Sequence, residues 1–274
     1  MKRIGYKTLV GAFALTLTLG AASAQAYSVN PNGVHFITRI FNDCPASTVT
    51  TDGSAYPATV YIDDTLLPCS GFANLHVWQF SSDGGATGAL LDNWADFSFT
   101  TTMVLGGNDA NGSEAGVNIA PWWFVADGRI NCRIPDGEIA AFGGRMPFYS
   151  WTDPAHGGLH YVANTPITLT MTYHHNGLTS ASPGTIEYNV FYGGNNYPAG
   201  PFALDQGNPG EDPPHGLWGI LSPASAGGYL QARLDPGNFA STMRATWTNT
   251  QYTNFSSTTA AEKTSWGKLK SLYR

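Results

Sequence analysis

The sequence predicts an all-β fold, a two-sheet antiparallel sandwich, and three observations carry that expectation. Several stretches alternate apolar and polar residues with the two-residue period of a half-buried strand. Clusters of Gly, Asn, Asp and Pro separate them, in a chain that holds 32 glycines and 17 prolines, as frequent tight turns require. No stretch of the body shows the 3.6-residue apolar period of an amphipathic helix.

The strands can be taken in order. Residues 27–68 are less regular and read as one N-terminal strand followed by a Ser/Thr/Asp-rich loop. Cys44 and Cys69 flank that loop, and a disulfide between them would staple it. From Trp94 to Leu105, Phe97, Phe99, Thr101 and Met103 fall on one face and Asp96, Ser98, Thr100 and Thr102 on the other. Ile167, Leu169, Met171 and Tyr173 alternate with Thr168, Thr170, Thr172 and His174. Ile186, Tyr188, Val190 and Tyr192 alternate with Glu187, Asn189 and Phe191. Ile139–Phe148 and Gly216–Ala232 are further strand candidates. Roughly 210–230 residues of this kind make one sandwich rather than two domains, spanning 27–252, with 27–74 as the N-terminal strand and disulfide loop.

The most informative strand pair runs from Glu114 to Ile134. Asp127-Gly128 is a strong signal for a two-residue hairpin turn, and a turn there pairs Ala126 with Arg129, Phe124 with Asn131 and Trp122 with Arg133. One face then holds Ala115, Val117, Ile119, Pro121, Trp123, Val125, Ile130, Cys132 and Ile134, and is core. The other holds Glu114, Asn118, Trp122, Phe124, Arg129, Asn131 and Arg133. Pro121 permits a slip in register, because a strand proline belongs at an edge or bulge. Carboxylate, amide, guanidinium and indole on one exposed sheet face suit a sugar, with Trp122 stacking and Glu114, Asn118, Arg129, Asn131 and Arg133 hydrogen-bonding. The bland alternative is a solvated face whose Glu–Arg pairs merely support strand pairing. Cys132, on the core face, reads as an inert buried thiol.

The chain ends carry addressing signals. Lys2, Arg3 and Lys7 precede an apolar run from Thr8 to Gly20, and Ala24-Gln25-Ala26 fits the small-x-small cleavage rule. Residues 1–26 are the expected signal peptide. The apolar run is too short to span a bilayer, so an exported protein, extracellular or at the cell surface, without a membrane span is expected. All nineteen acids lie between Tyr27 and Glu262. Six arginines are the only basic residues there, leaving the body at −13. Such a charge argues against nucleic acid as a partner, since phosphate binding needs a basic footprint. Residues 253–274 form a linker and a basic tail whose last twelve residues hold four positive charges. The ordinary reading is an unstructured terminus; the sharper one is a sorting or surface-attachment tag.

Other constellations are thinner. Asn108 to Glu114 is oxygen-rich, so Asp109 and Asn111 are candidates for a structural calcium, against the plain alternative of an Asn-Gly turn. No other cofactor is implied. Asp153, His156 and His160 have spacings that suit part of a zinc site, against solvent-facing loop histidines. Glu114, Glu138 and Glu187 are the strand glutamates from which a hydrolase would draw its carboxyl pair. A lyase acting on uronates would use Arg129, Arg133 and Asn131 to neutralise the substrate carboxylate, with no base identified. No nucleophile elbow, Walker loop or dinucleotide fingerprint is present.

Three stretches resemble the concanavalin A-like lectin/glucanase superfamily, the LamG-like jelly rolls, of a secreted bacterial type. They are DFSFTTTMVL with SEAGVNI, then DGEIAAFGGRMPFYSW, then TPITLTMTYHHNG with TIEYNVFY and GLWGIL. The resemblance covers about Leu75 to Tyr252. It implies a jelly-roll sandwich whose concave sheet often carries ligand or catalysis. The E-x-D-x-E strand of that superfamily's retaining glucanases is absent. So are the R-x-E-x-R, Q-x-H and Y-x-K-x-G-x-Y-x-Q strands of its alginate lyases, Tyr229-Leu230-Gln231 being a faint echo, and no catalytic residue carries over. The expectation is a lectin-like protein that binds extracellular polysaccharide. The alternatives are a polysaccharide hydrolase or lyase of the same fold, and a structural surface or matrix protein.

Overall fold

A computed structural model describes residues 29–67, 71–107, 112–120, 128–143, 146–205, 216–220, 223–233 and 241–255. The expected signal peptide, the tail beyond 255, Cys69, Asp109, Asn111, Trp122 and the Asp127 turn position lie outside them. The strands are β1 (Gly33–Ile37), β2 (Thr48–Asp52), β3 (Thr59–Leu66), β4 (Ala73–Ser81), β5 (Asp96–Gly107), β6 (Glu114–Ala120) and β7 (Gly128–Arg133). They continue with β8 (Ile139–Gly143), β9 (Met146–Ser150), β10 (Ile167–His174), β11 (Thr185–Tyr192), β12 (Asn195–Ala203), β13 (Ser225–Arg233) and β14 (Ser241–Phe255).

These strands form two antiparallel sheets of seven. The front sheet has the order β1-β4-β13-β6-β7-β8-β9, and the back sheet β12-β11-β10-β5-β14-β3-β2. Sequence neighbours repeatedly sit in different sheets, as in β3 and β4 or β13 and β14. This is the jelly-roll sandwich that the alternation pattern anticipates. β5, β10 and β11 bury the apolar positions expected of them, except Tyr192 at the end of β11, which is half-buried. The Ile139–Phe148 segment divides into β8 and β9. Among the described residues of the Gly216–Ala232 segment the strand begins at Ser225, and β14 runs past Tyr252 to Phe255.

Large aromatic side chains join the layers. Trp78 of β4 meets Trp247 of β14 edge-on, with ring centroids 5.8 Å apart. Phe80 of β4 meets Phe99 and Tyr252 of the back sheet at 5.5 and 5.1 Å. Such edge-to-face contacts add to the apolar area already buried. Trp247 Nε1 donates to the Gly116 carbonyl of the front sheet (3.1 Å), which satisfies the indole inside the core.

Two expectations are corrected. The segment 27–68 contributes three strands, not one. β1 edges the front sheet, while β2 and β3 extend the back sheet. The alternation of β3 is complete, but it places Asp64 inward, so the strand lacks a wholly apolar face. The second correction concerns the hairpin register. Gly128 does not sit in a turn; it pairs with Ile119, and the ladder runs Glu114 with Arg133, Gly116 with Asn131 and Asn118 with Arg129. The shift is even in residues, so the face membership of every described residue survives.

Candidate functional site on the front sheet

β6 lies between β13 and β7, so three strands supply the centre of the front sheet's outward face. Gly116 pairs with Tyr229 on one side and Asn131 on the other. Both neighbours reach diagonally to the carboxylate of Glu114, two residues along the same face. Tyr229 Oη donates to Glu114 Oε1 (3.3 Å), and Asn131 Nδ2 donates to Glu114 Oε2 (3.4 Å). The Ala140 N–H donates to Asn131 Oδ1 (3.1 Å), which fixes that amide's orientation. At Gly116 a Cβ would stand 1.8 Å from the Ile130 carbonyl oxygen, so only glycine fits.

Arg129 completes the cluster. Its guanidinium carbon lies 4.8 Å from the centroid of the Phe142 ring and 5.9 Å from that of Tyr229, a cation held against two aromatic rings. Phe142 in turn neighbours Phe148 of β9, centroids 6.2 Å apart. Phe148 is 60% exposed. A line of contacts therefore runs from an enclosed carboxylate, through a guanidinium, to an aromatic ring open to solvent.

The sequence expectation was an exposed face, and the structure differs. Glu114, Asn118, Arg129 and Asn131 are all buried, and so is Tyr229. Burial raises the Glu114 pKa above its ordinary 4.5, although Arg129, Asn131, Arg133 and Tyr229 each pull it down. Burial, with Glu114 beside it, also holds the Tyr229 hydroxyl well above the usual phenol range. The result is a carboxyl with a weakened preference for ionisation beside a phenol that stays protonated.

Arg133 is engaged elsewhere. Its Nη1 pairs with Glu138 Oε2 (2.8 Å) and its Nε with Asp136 Oδ1 (3.0 Å). It latches the β7–β8 turn rather than presenting a free cation. Burial keeps Cys132 a neutral thiol, its pKa pushed far up, as its core-face position implies. Asp153 accepts from the Ala155 N–H, and His156 and His160 each bond a backbone carbonyl, of Ser150 and Asp136. Those three do not converge on a common point. Among the described residues no group of three metal-ligating side chains is present. Glu187 lies on the back sheet, away from Glu114.

Sequence reasoning missed Tyr229 and Phe142 as site members. The signal for Tyr229 was the alternation of β13, which places Gly227, Tyr229 and Gln231 on one face.

No protein-family model and no curated protein matches the chain. Solved structures of similar fold include a polysaccharide lyase of family 18 (11% identity, 81% of this chain, 95% of that one, TM-score 0.38). Lectin II from Ulex europaeus is similar at 9% identity, covering 82% and 99% of the two chains, TM-score 0.40. An alginate lyase from Alteromonas sp. 272 is similar at 10% identity, covering 81% and 94%, TM-score 0.39. These likenesses concern the fold alone.

Proposed function

We propose that the protein is exported, carries a Cys44–Cys69 disulfide, and binds extracellular polysaccharide on the outward face of its front sheet. The observation that carries this reading is the line from Phe148 through Phe142 and Arg129 to Glu114. A sugar ring stacks its C–H face on the exposed Phe148, and the chain extends toward β7, where Arg129 and Asn131 set the electrostatics of the floor. Burying charged groups on the outer face of a sandwich costs desolvation, and the enclosed Glu114–Arg129 cluster supports a site rather than a solvated face. In the same reading the basic tail serves surface attachment, and the Asp109–Asn111 loop is the place for a structural calcium.

The test is binding of the mature protein to immobilised neutral and uronate polysaccharides, with Phe148→Ala alongside. Selective binding that weakens about tenfold in the variant, about 1.4 kcal/mol, is expected. Binding of every polysaccharide indifferent to Phe148 overturns the front-sheet site, and binding to no polysaccharide overturns the reading in favour of a structural surface protein.

A second reading, cleavage by a uronate lyase, is favoured by one observation: Tyr229, Arg129 and Asn131 meet around one carboxylate. β-Elimination needs the substrate carboxylate neutralised, the proton at the carbon beside it removed, and the departing glycosidic oxygen protonated. The cluster holds an amide and a guanidinium for the first task and, for the last, a protonated phenol that can donate to the departing oxygen. New ultraviolet absorbance from unsaturated uronate ends would establish it.

A further inference from the structure

The outward face of the back sheet carries a pattern the front-sheet site does not use. Ser98, Thr100 and Thr102 of β5 stand opposite Thr172, Thr170 and Thr168 of β10. Their hydroxyl oxygens are 3.0, 2.9 and 2.9 Å apart. In each Thr–Thr pair one hydroxyl hydrogen is spent between the partners; the other hydrogen and the remaining lone pairs are left for a third group. Successive rungs are about 7 Å apart, the i, i+2 repeat of a strand.

At the Thr102–Thr168 end this ladder opens into a groove of about 630 Å³, the size of a small-molecule site. Phe191, opposite Thr168 in register, is an exposed ring on its wall. Tyr192 forms the neighbouring wall and is fixed there: its Oη accepts from the Val162 N–H (3.0 Å) and lies 2.9 Å from Thr165 Oγ1. Gly193 and Gly194 turn at its mouth with positive φ, and a Cβ on either would meet nothing within 4 Å. Among the described residues no Asp, Glu, Lys, Arg or His lines the groove, although the body of the chain is strongly acidic. Glu187 stands opposite Thr172, at the far end of the ladder.

We propose that this groove is a second glycan site, specific for a neutral sugar. A pyranose lays its C–H face on Phe191, and its hydroxyls bond the Thr102–Thr168 pair and the Thr100–Thr170 rung beyond it. The absence of charge selects the ligand: a uronate carboxylate would lose hydration here and find no cation, whereas a neutral ring exchanges water hydrogen bonds for threonine ones. The site lies on the opposite sheet from Glu114 and Phe148, so it stands or falls independently of the front-sheet reading.

The experiment is calorimetric titration of the mature protein with cello-, xylo-, manno-, laminari- and chitohexaose, with an oligouronate as the charged control. Phe191→Ala, Thr168→Val and Phe148→Ala are compared. Phe191 and Phe148 are exposed, and Thr168→Val keeps the side-chain shape while removing one hydroxyl, so a folded variant with a changed groove is available. At least one neutral hexaose is expected to bind, about tenfold more weakly in Phe191→Ala and several-fold more weakly in Thr168→Val. Absence of neutral-sugar binding overturns the proposal. So does neutral binding that ignores Phe191 and Thr168; if that binding falls with Phe148→Ala instead, the front sheet is the only glycan face. Loss of oligouronate binding in Phe148→Ala alone bears on the front sheet and leaves this site to the hexaose result.

Discussion

His76 of the front sheet and Asp64 of the back sheet meet in the core, Nε2 to Oδ2 at 3.0 Å, with both side chains fully buried. The Arg39 N–H donates to His76 Nδ1 (3.0 Å), so the ring proton sits on Nε2 and is given to Asp64. Asn74 Nδ2 donates to the same carboxylate oxygen (2.9 Å) and to Ser47 Oγ (2.8 Å), while its Oδ1 accepts from the Cys44 N–H (2.9 Å). One buried polar plug thus binds the two sheets to the loop that carries Cys44. Replacing Asp64 with Ala strands two buried donors, at a cost of about 3 kcal/mol. Urea unfolding should show a lower midpoint with an unchanged slope. An unchanged midpoint would mean that water already satisfies those donors.

Two glycines are fixed by packing. At Gly228 an added Cβ would stand 2.4 Å from Trp78 Nε1 and 2.7 Å from Trp247 Cε2, between the rings that join the layers. At Gly116 it would strike backbone. Gly228→Ala should destabilise by about 1–3 kcal/mol, as overpacking does, and Gly116→Ala by at least as much because a carbonyl cannot rotate away. Thermal melts of both variants against Gly193→Ala check this. Gly193 has open space, so its substitution costs only the positive φ.

Acid behaviour should show two opposed contributions. Glu114 has its folded pKa raised by burial, so the folded state binds that proton more tightly than the unfolded chain. Its contribution is favourable at low pH and is lost as pH rises from about the ordinary 4.5 through the raised value. Wild type should therefore lose stability relative to Glu114→Gln between acid and neutral pH. At Asp96 burial pushes the pKa up, but donation from the His175 N–H and from both histidine rings outweighs it, and the net shift is downward. That contribution is present above the ordinary 3.8 and is lost as pH falls through the lowered value. Unfolding free energies of wild type, Glu114→Gln and Asp96→Asn across pH 3–8 separate the two; parallel curves for all three would contradict both.

How far the sequence could be read follows from where polar residues point. β5, β10 and β11 were legible because their inward positions are almost wholly apolar. β4 was not, because its pattern is inverted: Asn74 and His76 face the core, while Leu75 and Val77 face outward and are covered, with Tyr229, by Ile40 and Phe41. Alternation cannot tell a solvated outer face from a covered one, which is why Glu114, Arg129 and Asn131 were grouped correctly yet expected in solvent. The Asp127-Gly128 pair misled because it implied a two-residue loop, whereas Gly128 is already strand, paired with Ile119. Tyr229 comes from β13, distant in sequence, so only the sheet order could bring it beside Arg129, whereas Phe142 is the register partner of Arg129 on the very next strand.

The hydroxyl of Tyr229 separates binding from cleavage. Tyr229→Phe keeps the buried ring, its packing on Leu75 and Val77 and its face toward Arg129. It removes the hydrogen bond to Glu114, so the stability change should be within about 1 kcal/mol. A protein that only binds polysaccharide should retain its affinity within about threefold, because the hydroxyl is enclosed and the exposed contact is Phe148. A lyase that uses this phenol for proton transfer should keep binding but lose product formation by a factor of about 100 or more. Affinity and unsaturated-product assays on the same preparation decide the matter. Affinity lost together with the hydroxyl would contradict both, and would show that ligand reaches the Glu114 pocket itself.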